Sequence, residues 1–323
     1  SVTGVQTCAL PIFNFIRKEF NKSLSNFSFP KTPTYLYQPI EYSLKGQGKR
    51  YRPIIVHLSG RHFKSDPDDI MKISIAIELL HCFTLIHDDI MDSDDKRRNM
   101  PTLHKKYDVP SAILAGDGIF TITQLILLSV DQNSKLLFQK YNEMVLEICE
   151  GQAMDKQYEV EDELDVDDYI EMVKKKTGAL LGSCLSLPAI IENEKQGNVE
   201  LLYNIGKNLG VAFQIQDDLF EIFGDEKVMG KSLGSDIASN KKTPLAILAK
   251  NEDKMRWEKL VDEYDGKNLD NIRKFLIESG VKNKVDKIAF DYFTNAYDSL
   301  SKFGISNNSE LYNFFKFIQE RHY

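Results

Sequence analysis

The sequence lacks the features that mark secreted, membrane-spanning and nucleic-acid-binding proteins. Its four cysteines (Cys8, Cys82, Cys149 and Cys184) are scattered and form no C-x-x-C pair, so we expect reduced thiols rather than a disulfide framework. No uninterrupted apolar run approaches the ~20 residues that span a bilayer, which predicts a soluble, cytoplasmic protein without a membrane span. The chain has 41 basic and 48 acidic residues and no basic stripe, so nucleic acid is a poor candidate partner.

Apolar residues recur mostly at three- and four-residue intervals from Phe13 onward, and alternating strand-like runs are rare. This pattern predicts an all-α protein, a single large helical bundle whose central helices bring polar groups into the core. Gly, Pro, Asn and Asp divide the chain into roughly ten helices. The predicted breaks lie near residues 45–48, 66–68, 99–101, 116–118, 161–165, 193–198, 224–235 and 304–308.

Residues 1–12 differ from the rest of the chain, because they carry no charge and do not lead into the helical pattern. They lack the basic start and the apolar run of a secretory signal, so we interpret them as a foreign or disordered leader. None of the later breaks is a long linker. Residues 13–323 are therefore predicted to form one domain.

Two acidic clusters lie in apolar helix-forming stretches, at residues 88–92 (Asp-Asp-Ile-Met-Asp) and 217–221 (Asp-Asp-Leu-Phe-Glu). On a helix that advances about 100° per residue, the first and fifth positions of each cluster lie within ~40° of one another. Like charges on one face repel, and carboxylates that face an apolar interior need cations to offset their desolvation. The clusters therefore predict a paired site for Mg²⁺, a hard ion that favours carboxylate, water and phosphate oxygens.

Three basic elements supply charge of the opposite sign, at residues 49–52, 97–98 and 174–176. Planar guanidinium forks suit phosphate oxygens, although charge runs of this kind are also common on solvated surfaces. Metal ions bound by the carboxylates would neutralise one part of a diphosphate, and these cations would neutralise the rest. The charges together predict a diphosphate ligand.

Two further polar residues share a helical face with the acidic clusters. His81 precedes Asp88 by seven residues, almost two turns, which places it within ~20° of the same face and ~10 Å away. It is either a satisfied core residue or an imidazole that faces the metal end of the helix. Gln214 precedes Asp217 and Asp218 by three and four residues, so it can hydrogen-bond to them or to a ligand.

These elements together resemble the motifs of the trans-isoprenyl diphosphate synthases, the family of farnesyl, geranylgeranyl and longer polyprenyl diphosphate synthases. The resemblance covers the chain from residue 13 to its end, and four family motifs occur in the family's order: D-D-x-x-D with two arginines downstream, G-K-x-x-R, K-T and F-Q-x-x-D-D. The matching residues are Gly48, Lys49, Arg52, Asp88, Asp89, Asp92, Arg97, Arg98, Lys176, Thr177, Phe213, Gln214, Asp217 and Asp218. Glu221 stands where the family more usually has Asp.

The resemblance implies an isoprenoid-synthase fold with a central active-site cavity and a Mg²⁺-dependent prenyltransferase that condenses isopentenyl diphosphate with an allylic diphosphate. Isopentenyl diphosphate would be bound by Lys49, Arg52, His81 and Arg98. The allylic diphosphate would be bound by Arg97, Lys176, Thr177, Gln214, Lys231 and Lys241. Three Mg²⁺ ions would be held directly by Asp88, Asp92 and Asp217, with support from Asp89, Asp218 and Glu221. The catalytic residues implied are Asp88, Asp92, Arg97, Lys176, Asp217 and Lys231.

Product length in the family depends on the residues that precede the first motif. Leu80 and Thr84 lie two turns and one turn before Asp88, with Phe83 on the adjoining stripe. A single aromatic residue at the position of Phe83 resembles many geranylgeranyl diphosphate synthases, and farnesyl and longer products are alternatives. Phe83 can also be an ordinary core residue, with Phe120 forming the floor of the cavity.

Two other classes of protein compete with chain elongation. A non-catalytic regulatory subunit of a prenyltransferase would keep the helical bundle and lose the acidic motifs, whereas this chain retains both. A head-to-head condensing or cyclising prenyl enzyme would not need the G-K-x-x-R element and the Arg97-Arg98 pair, which fit isopentenyl diphosphate. The motifs therefore favour chain elongation, in the homodimer that the resemblance implies.

Overall fold

The computed structural model describes residues 4–46, 48–224, 233–266 and 268–320, with side chains from residue 11 onward. Within these ranges most of the chain is helical, which confirms the predicted all-α class. The helices are α1 (Gly4–Asn26), α2 (Thr34–Leu44), α3 (Tyr51–Phe63), α4 (Pro67–Met91), α5 (Leu103–Lys106), α6 (Val109–Leu128), α7 (Ser134–Tyr158), α8 (Val166–Val173), α9 (Ala179–Ile191), α10 (Gln196–Phe223), α11 (Ser235–Ala238), α12 (Pro244–Glu252), α13 (Lys254–Asp262), α14 (Asp270–Glu278), α15 (Val281–Phe303) and α16 (Glu310–Gln319). A π-helical turn (Lys174–Gly178) joins α8 to α9, and strands β1 (Lys96–Arg97) and β2 (Met100–Pro101) form an antiparallel hairpin.

The backbone divides into two compact units. Unit 1 comprises residues 1–141 and 184–199, and unit 2 comprises residues 142–183 and 200–323. The single domain predicted for residues 13–323 stays a prediction.

Helix α4 carries the first acidic cluster and forms where the sequence predicts it. Asp66 caps its N-terminus by accepting hydrogen bonds from the backbone N–H groups of Asp68 (2.9 Å) and Asp69 (3.2 Å). Pro67 occupies the first turn, where its missing N–H needs no intrahelical partner. Several apolar side chains of α4 have no exposed surface at all: Ile73, Ala76, Ile77, Leu79 and Leu80. The acidic cluster therefore lies at the end of a helix that is otherwise part of the core.

The core of unit 1 is built on α4, which packs against α1, α2, α5 and α6. Its buried members are Phe20, Leu24, Ile40, Ile75, Leu79, Cys82, Ile86, Leu103, Ala112, Ala115 and Ile119. Burying a large aliphatic side chain of this kind contributes roughly 1.5–3 kcal/mol relative to leaving it exposed. The position of α4 is therefore set by packing along most of its length.

The break predicted near residues 116–118 is wrong, because helix α6 passes through these residues. The helix runs without interruption from Val109 to Leu128. A Cβ atom at Gly116 would lie 2.3 Å from His87 Nε2, so this glycine permits α4 to approach α6 closely. That tertiary contact outweighs the low helix propensity of glycine, which costs about 1 kcal/mol relative to alanine.

The first helix crosses the boundary of the predicted leader. Helix α1 begins at Gly4 and continues through residue 12 to Asn26, so residues 4–12 and 13–26 share one continuous helical backbone. Its buried apolar face, among the side chains described, comprises Phe13, Ile16, Phe20 and Leu24. The foreign origin of the leader and its boundary stay predictions.

Unit 2 has its own core, which surrounds the buried face of α10 with residues from α8, α12, α13, α14 and α15. It includes Tyr169, Val173, Val211, Ile215, Leu219, Ile222, Leu245, Trp257, Phe275 and Val285. The second acidic cluster lies in the C-terminal part of α10, next to three of these core positions. The cluster is therefore positioned by packing in unit 2, as the first cluster is in unit 1.

Two helices are long and apolar enough to span a membrane by length and composition alone, Pro67–Met91 and Val109–Leu128. In the first, 61% of the apolar window is buried inside the protein, as expected for a core helix, and in the second 39% is buried. The predicted absence of a membrane span stays a prediction. Cys82 and Cys184 are buried and Cys149 is exposed, and none of these three forms a disulfide.

Candidate active site

The first acidic cluster occupies the last turn of α4, with Asp92 as the C-cap residue. Asp88 and Asp92 are partly exposed, whereas Asp89 is buried. Arg97, on strand β1, donates from Nε to Asp89 Oδ1 (2.5 Å) and places an Nη atom 3.9 Å from Asp88 Oδ2. Burial raises the pKa of Asp89 to about 6, although the charge of Arg97 opposes the shift. The protein thus compensates the buried carboxylate of this cluster with a cation of its own.

Arg52 contacts His81, two turns before the cluster, and the charges of three further arginines act on the same ring. Arg52 Nη1 lies 3.2 Å from His81 Nε2, so the guanidinium donates to a neutral ring. Burial, followed by the charges of Arg52, Arg98, Arg97 and Arg50, holds the pKa of His81 well below its ordinary value. Both interpretations of His81, a satisfied core residue and an imidazole that faces the metal end of the helix, stay predictions. A neutral imidazole at the centre of concentrated positive charge is suited to binding an anion.

The hairpin β1–β2 brings Arg98 over the loop that precedes α3. Arg98 and Asn99 form its tight turn, with positive φ values of 51° and 62°. A Cβ at Gly48 would lie 3.0 Å from Arg98 Nη1, so the glycine of the G-K-x-x-R element admits this contact. Lys49 is exposed in the same loop. The residues predicted to bind isopentenyl diphosphate, Lys49, Arg52, His81 and Arg98, thus all lie in unit 1 around one basic region.

The second acidic cluster differs from the first in exposure. Asp217 is exposed, whereas Asp218 and Glu221 are buried to 5% and 2% exposure. The sequence placed Asp217 and Glu221 on one helical face, but the two carboxylates lie in different environments. Across both clusters, the partly or fully exposed carboxylates are Asp88, Asp92 and Asp217, the three that the resemblance implies as direct metal ligands.

Asp218 is held by neutral hydrogen-bond donors. Tyr169 donates from its hydroxyl to Asp218 Oδ2 (2.5 Å), and Gln214 donates from Nε2 to Asp218 Oδ1 (3.1 Å). Burial, with the nearby charge of Asp236, raises the pKa of Asp218 to about 7 despite these bonds. The predicted contact between Gln214 and the acidic cluster is present.

Glu221 is bonded to the start of α11. Its Oε1 accepts hydrogen bonds from Ser235 N (2.9 Å) and Ser235 Oγ (2.6 Å), and its backbone carbonyl accepts from Gly234 N (3.1 Å). The longer Glu side chain, where the family more usually has Asp, thus reaches a backbone segment that returns to α10. No pattern in the sequence indicates this partner.

The predicted allylic diphosphate residues of unit 2 line a cavity of about 120 Å³. They are Lys176, Thr177, Gln214 and Lys241. Lys176 pairs with Asp155 (Nζ to Oδ2, 2.5 Å), and Thr177 Oγ1 donates to Gln214 Oε1 (3.3 Å). Arg97 lies in unit 1, and Lys231 lies outside the described residues.

A π-helical turn positions the K-T pair. Lys176 and Thr177 lie within Lys174–Gly178, where the helix holds an extra residue per turn. A Cβ at Gly151 of α7 would lie 2.3 Å from the backbone nitrogen of Lys176, so only glycine fits beneath the turn. The local departure from α-helical geometry, which the sequence did not predict, thus coincides with two predicted ligand-binding residues.

The predicted chain-length residues form a group of rings beside α6. The Phe83 ring centroid lies 5.6 Å from that of Phe120 and 4.7 Å from that of His87. Leu80 is fully buried, and Thr84 Oγ1 donates back to the carbonyl of His81 (2.9 Å). Phe83 and Phe120 therefore contact one another, and which of them forms the floor of the cavity stays a prediction. His87, which the sequence analysis did not single out, belongs to the same group.

The donor set fits Mg²⁺ bound together with a phosphorylated ligand. Among the described residues, no group of three or more His, Cys, Asp or Glu side chains is arranged to hold a metal ion. Mg²⁺ is commonly held by one or two carboxylates, with water and substrate phosphate oxygens completing its shell. Exposed carboxylates without a closed protein cage are consistent with that type of site.

Two residues of unit 2 escaped the sequence analysis although they contact predicted site residues. Tyr169 donates to Asp218 and Asp155 pairs with Lys176. Each lies at least 21 positions from its partner along the chain. No local spacing rule connects such pairs, so only the folded backbone identifies them.

Known proteins resemble this chain over most of its length. The polyprenyl synthetase family model matches residues 33–277. A geranylgeranyl pyrophosphate synthase of Geoglobus acetivorans is 40% identical over 72% of this chain and 73% of its own, and a geranylfarnesyl diphosphate synthase of Natronomonas pharaonis is 35% identical over 73% and 75%. A solved structure of a geranylgeranyl pyrophosphate synthase superposes with a TM-score of 0.89 at 32% identity, covering 96% of this chain and 99% of that one.

These matches assign the chain to the same family as the acidic motifs and the basic elements do. The fold comparison confirms the predicted isoprenoid-synthase type of helical structure. Retention of both acidic clusters argues against the non-catalytic alternative. The chain belongs to the polyprenyl synthetase family and is a chain-elongating trans-prenyltransferase, an isoprenyl diphosphate synthase.

Proposed function

We propose that this enzyme condenses isopentenyl diphosphate with an allylic diphosphate and releases geranylgeranyl diphosphate as its main product. The observation that carries the proposal is that Arg52 contacts His81 of α4, the helix that ends in the first acidic cluster, and that Arg98 approaches Gly48. A diphosphate needs both positive charge and metal-binding carboxylates close at hand. Unit 1 offers both within one basic and acidic region.

Isopentenyl diphosphate is assigned to the basic region of unit 1. Arg52 and Arg98 present planar donor forks that match phosphate oxygens, and exposed Lys49 adds an ammonium on a flexible stem. His81 stays neutral in these surroundings, so it donates a single ring N–H rather than adding charge. These contacts hold the homoallylic substrate while its double bond reacts.

The allylic diphosphate is assigned to the cavity lined by Lys176, Thr177, Gln214 and Lys241 in unit 2. The family resemblance adds Arg97 of unit 1 and Lys231, which lies outside the described residues. Lys176 would exchange its ion pair with Asp155 for a phosphate oxygen. The positive side chains stabilise the negative charge that develops on the departing diphosphate, so the bond to the allylic carbon breaks toward a carbocation. The isopentenyl double bond then attacks that cation, and loss of a proton restores a double bond.

We assign Mg²⁺ to the exposed carboxylates Asp88, Asp92 and Asp217, in the three-ion arrangement implied by the family resemblance. When bound, the ions supply additional positive charge for the leaving diphosphate. Asp89, Asp218 and Glu221 orient these side chains and the elements that carry them, because each is buried and bonded within its own unit.

The product assignment rests on the contact of Phe83 with Phe120 and His87, one to two turns before the acidic cluster on α4. Small Thr84 leaves more depth than a second aromatic would, which favours a product longer than farnesyl diphosphate. The 35% identical geranylfarnesyl diphosphate synthase of Natronomonas pharaonis keeps a longer product as the second candidate.

The test is incubation with Mg²⁺, isopentenyl diphosphate and each allylic diphosphate in turn, followed by mass analysis of the products. We expect geranylgeranyl diphosphate to dominate and chelation of divalent ions to abolish turnover. Phe83→Ala should lengthen the product. An unchanged distribution of product lengths would show that the aromatic rings do not set the length. Failure to elongate any allylic substrate would overturn the proposed function.

We also propose a homodimer in the cytoplasm. Five large apolar residues are exposed on α6: Val109, Ile113, Leu114, Leu125 and Leu128. At about 100° per residue they fall within an arc of about 160°, so they form one face. An exposed apolar face of this kind favours association with a second copy. Light scattering should give twice the mass of the 37.1 kDa chain, and Leu125→Glu should give a monomer.

A further inference from the structure

We infer that the buried ion pair of Arg50 with Glu78 is a positioning device for the isopentenyl diphosphate site. The inference rests on the proposed function, because it concerns the loop that carries Lys49 and Arg52. Arg50 lies between these two residues and is not one of the motif positions. Its side chain is buried in unit 1, where it bonds to Asn21, Glu78 and Gly46.

The side chain of Arg50 is anchored at every donor position of its fork. Nη1 forms the ion pair with Glu78 Oε1 of α4, Nε donates to Asn21 Oδ1 of α1 (3.0 Å), and Nη2 donates to the carbonyl of Gly46 (3.3 Å). The guanidinium carbon lies 5.9 Å from the ring centroid of Phe20. Arg50 and Glu78 are 8% and 3% exposed. One residue thus ties the loop to two helices and to its own preceding turn.

The backbone of Arg50 needs this anchoring. Its φ of 55° lies in the left-handed region, which costs a non-glycine residue of the order of 1 kcal/mol or more. This residue is also the N-cap of α3, which begins at Tyr51. The left-handed turn therefore decides the direction in which Lys49 leaves the loop and Arg52 leaves the first turn of the helix.

Glu78 and His81 are three residues apart on α4, so they lie on neighbouring positions of one helical face. Glu78 holds Arg50, and His81 contacts Arg52. The same face of α4 therefore fixes two arginines of the basic loop. Because α4 also ends in Asp88 and Asp92, the pair sets the loop relative to the acidic cluster.

A purely structural role is the competing explanation. Buried ion pairs often add little net stability, since desolvation of both charges offsets their attraction. If the pair were purely structural, its loss would lower the melting temperature and the fraction of folded, active enzyme. Activity would then fall equally with both substrates. A positioning role would instead raise the KM for isopentenyl diphosphate selectively, because only that site depends on the geometry of the loop.

The experiment compares Glu78→Gln with Asp69→Asn, a matched change on the same helix. Asp69 is also a buried carboxylate of unit 1 paired with a cation, because Lys72 Nζ lies 2.8 Å from its Oδ1, but it sits at the opposite end of α4. Glu78→Gln should raise the KM for isopentenyl diphosphate about tenfold or more, with the KM for the allylic substrate nearly unchanged. Asp69→Asn should change neither constant.

Arg50→Lys provides a second variant in case Glu78→Gln does not fold. Lysine keeps the charge opposite Glu78 but cannot reach Asn21 and Gly46 with the same fork. It should melt near the wild-type temperature and still raise the KM for isopentenyl diphosphate. Unchanged KM values in folded variants of an active enzyme would overturn the inference alone.

Failure of the proposed function has a different signature, because the wild-type enzyme itself would then form no product. In that case calorimetry with isopentenyl diphosphate decides the inference. Weaker binding to Glu78→Gln than to wild type would uphold it, and equal binding, or none to either protein, would overturn it.

Discussion

The two acidic clusters compensate their buried carboxylates in opposite ways. In unit 1, Asp89 is compensated by the guanidinium of Arg97, a cation on a separate hairpin. In unit 2, Asp218 is compensated by the neutral donors of Tyr169 and Gln214. A cation can be exchanged for a metal ion or turned to a phosphate, whereas neutral donors stay with their acceptor.

The difference teaches that the two similar five-residue motifs are unequal sites. The first cluster keeps two carboxylates at least partly exposed, Asp88 and Asp92, and the second keeps Asp217. The buried members stabilise the surrounding backbone through Arg97, Tyr169 and Ser235. Exposure, rather than motif position, therefore separates the carboxylates assigned to metal from those assigned to support.

The largest expected effect comes from the exposed carboxylates. Asp88→Asn and Asp217→Asn should each lower kcat/KM by about 10²–10³-fold at fixed Mg²⁺, because each removes charge where the leaving group is stabilised. Asp95→Asn is the control, since Asp95 is an exposed carboxylate of the same loop region paired with Lys105 (2.9 Å). Steady-state kinetics checks this, and equal losses in all three variants would remove the distinction.

The next effect concerns stability in the metal-free protein. The folded pKa of Asp218, about 7, lies above its ordinary value of 3.8, so the folded state binds more protons between these values. Its contribution is fully present below about pH 4 and lost as the pH rises through about 7. In wild type the free energy of unfolding therefore falls as the pH rises. Asp218→Asn should make that fall smaller by roughly 2–4 kcal/mol.

Thermal melts from pH 4 to pH 9 with chelator measure that pH dependence. Asp291→Asn is the control, because Asp291 is an exposed carboxylate of α15 that pairs with Lys287 and is not among the charges that raise the pKa of Asp218. The melting temperature of wild type should fall between pH 5 and pH 8. The same fall in Asp218→Asn would contradict the role of burial at this carboxylate.

A smaller effect is expected from the donor to Asp218. Tyr169→Phe should weaken apparent Mg²⁺ affinity by about 10-fold, because it removes a donor to Asp218, the buried neighbour of the assigned metal ligand Asp217. Tyr203→Phe is its control, because Tyr203 donates to Glu147 Oε2 (2.5 Å) elsewhere in unit 2. Activity titrated with Mg²⁺ distinguishes them, and the same midpoint for both variants would assign Tyr169 to packing alone.

The smallest effect tests Glu221. Glu221→Gln keeps an oxygen that accepts from Ser235, so stability should fall by no more than about 1 kcal/mol and kcat/KM by less than about threefold. Asp217→Asn, the same carboxylate-to-amide change four residues earlier, sets the scale. A loss in Glu221→Gln as large as that in Asp217→Asn would make Glu221 a direct metal ligand.

The sequence predicted the helices best where propensity and packing agree. Helix α4 contains no Gly or Pro between residues 71 and 91 and is buried along its apolar faces, so both influences give one answer. Gly116 led to a wrong prediction because its lack of a side chain serves the contact with His87 of another helix. Local sequence cannot distinguish a glycine that ends a helix from one that admits a neighbour.

The sequence predicted the motif residues of the candidate site but not the residues that contact them. Spacing along a helix linked Gln214 to Asp218, and the structure contains that bond. Tyr169 and Ser235 contact the same cluster from separate elements, so no helical period relates them to it. Residues 97–98 were likewise predicted only as a basic element and not as part of a hairpin, because two-residue strands leave no alternating pattern.

The π-helical turn at Lys174–Gly178 has a consequence for how this chain tolerates insertions and deletions. Such a turn contains one residue more than an α-helix would need, so losing one residue there would leave a continuous helix. That shortened helix would turn Lys176 and Thr177 by about 100° relative to the start of α9. A single-codon deletion in this turn is therefore expected to preserve the fold and abolish activity, whereas the same deletion in an exposed loop would be tolerated.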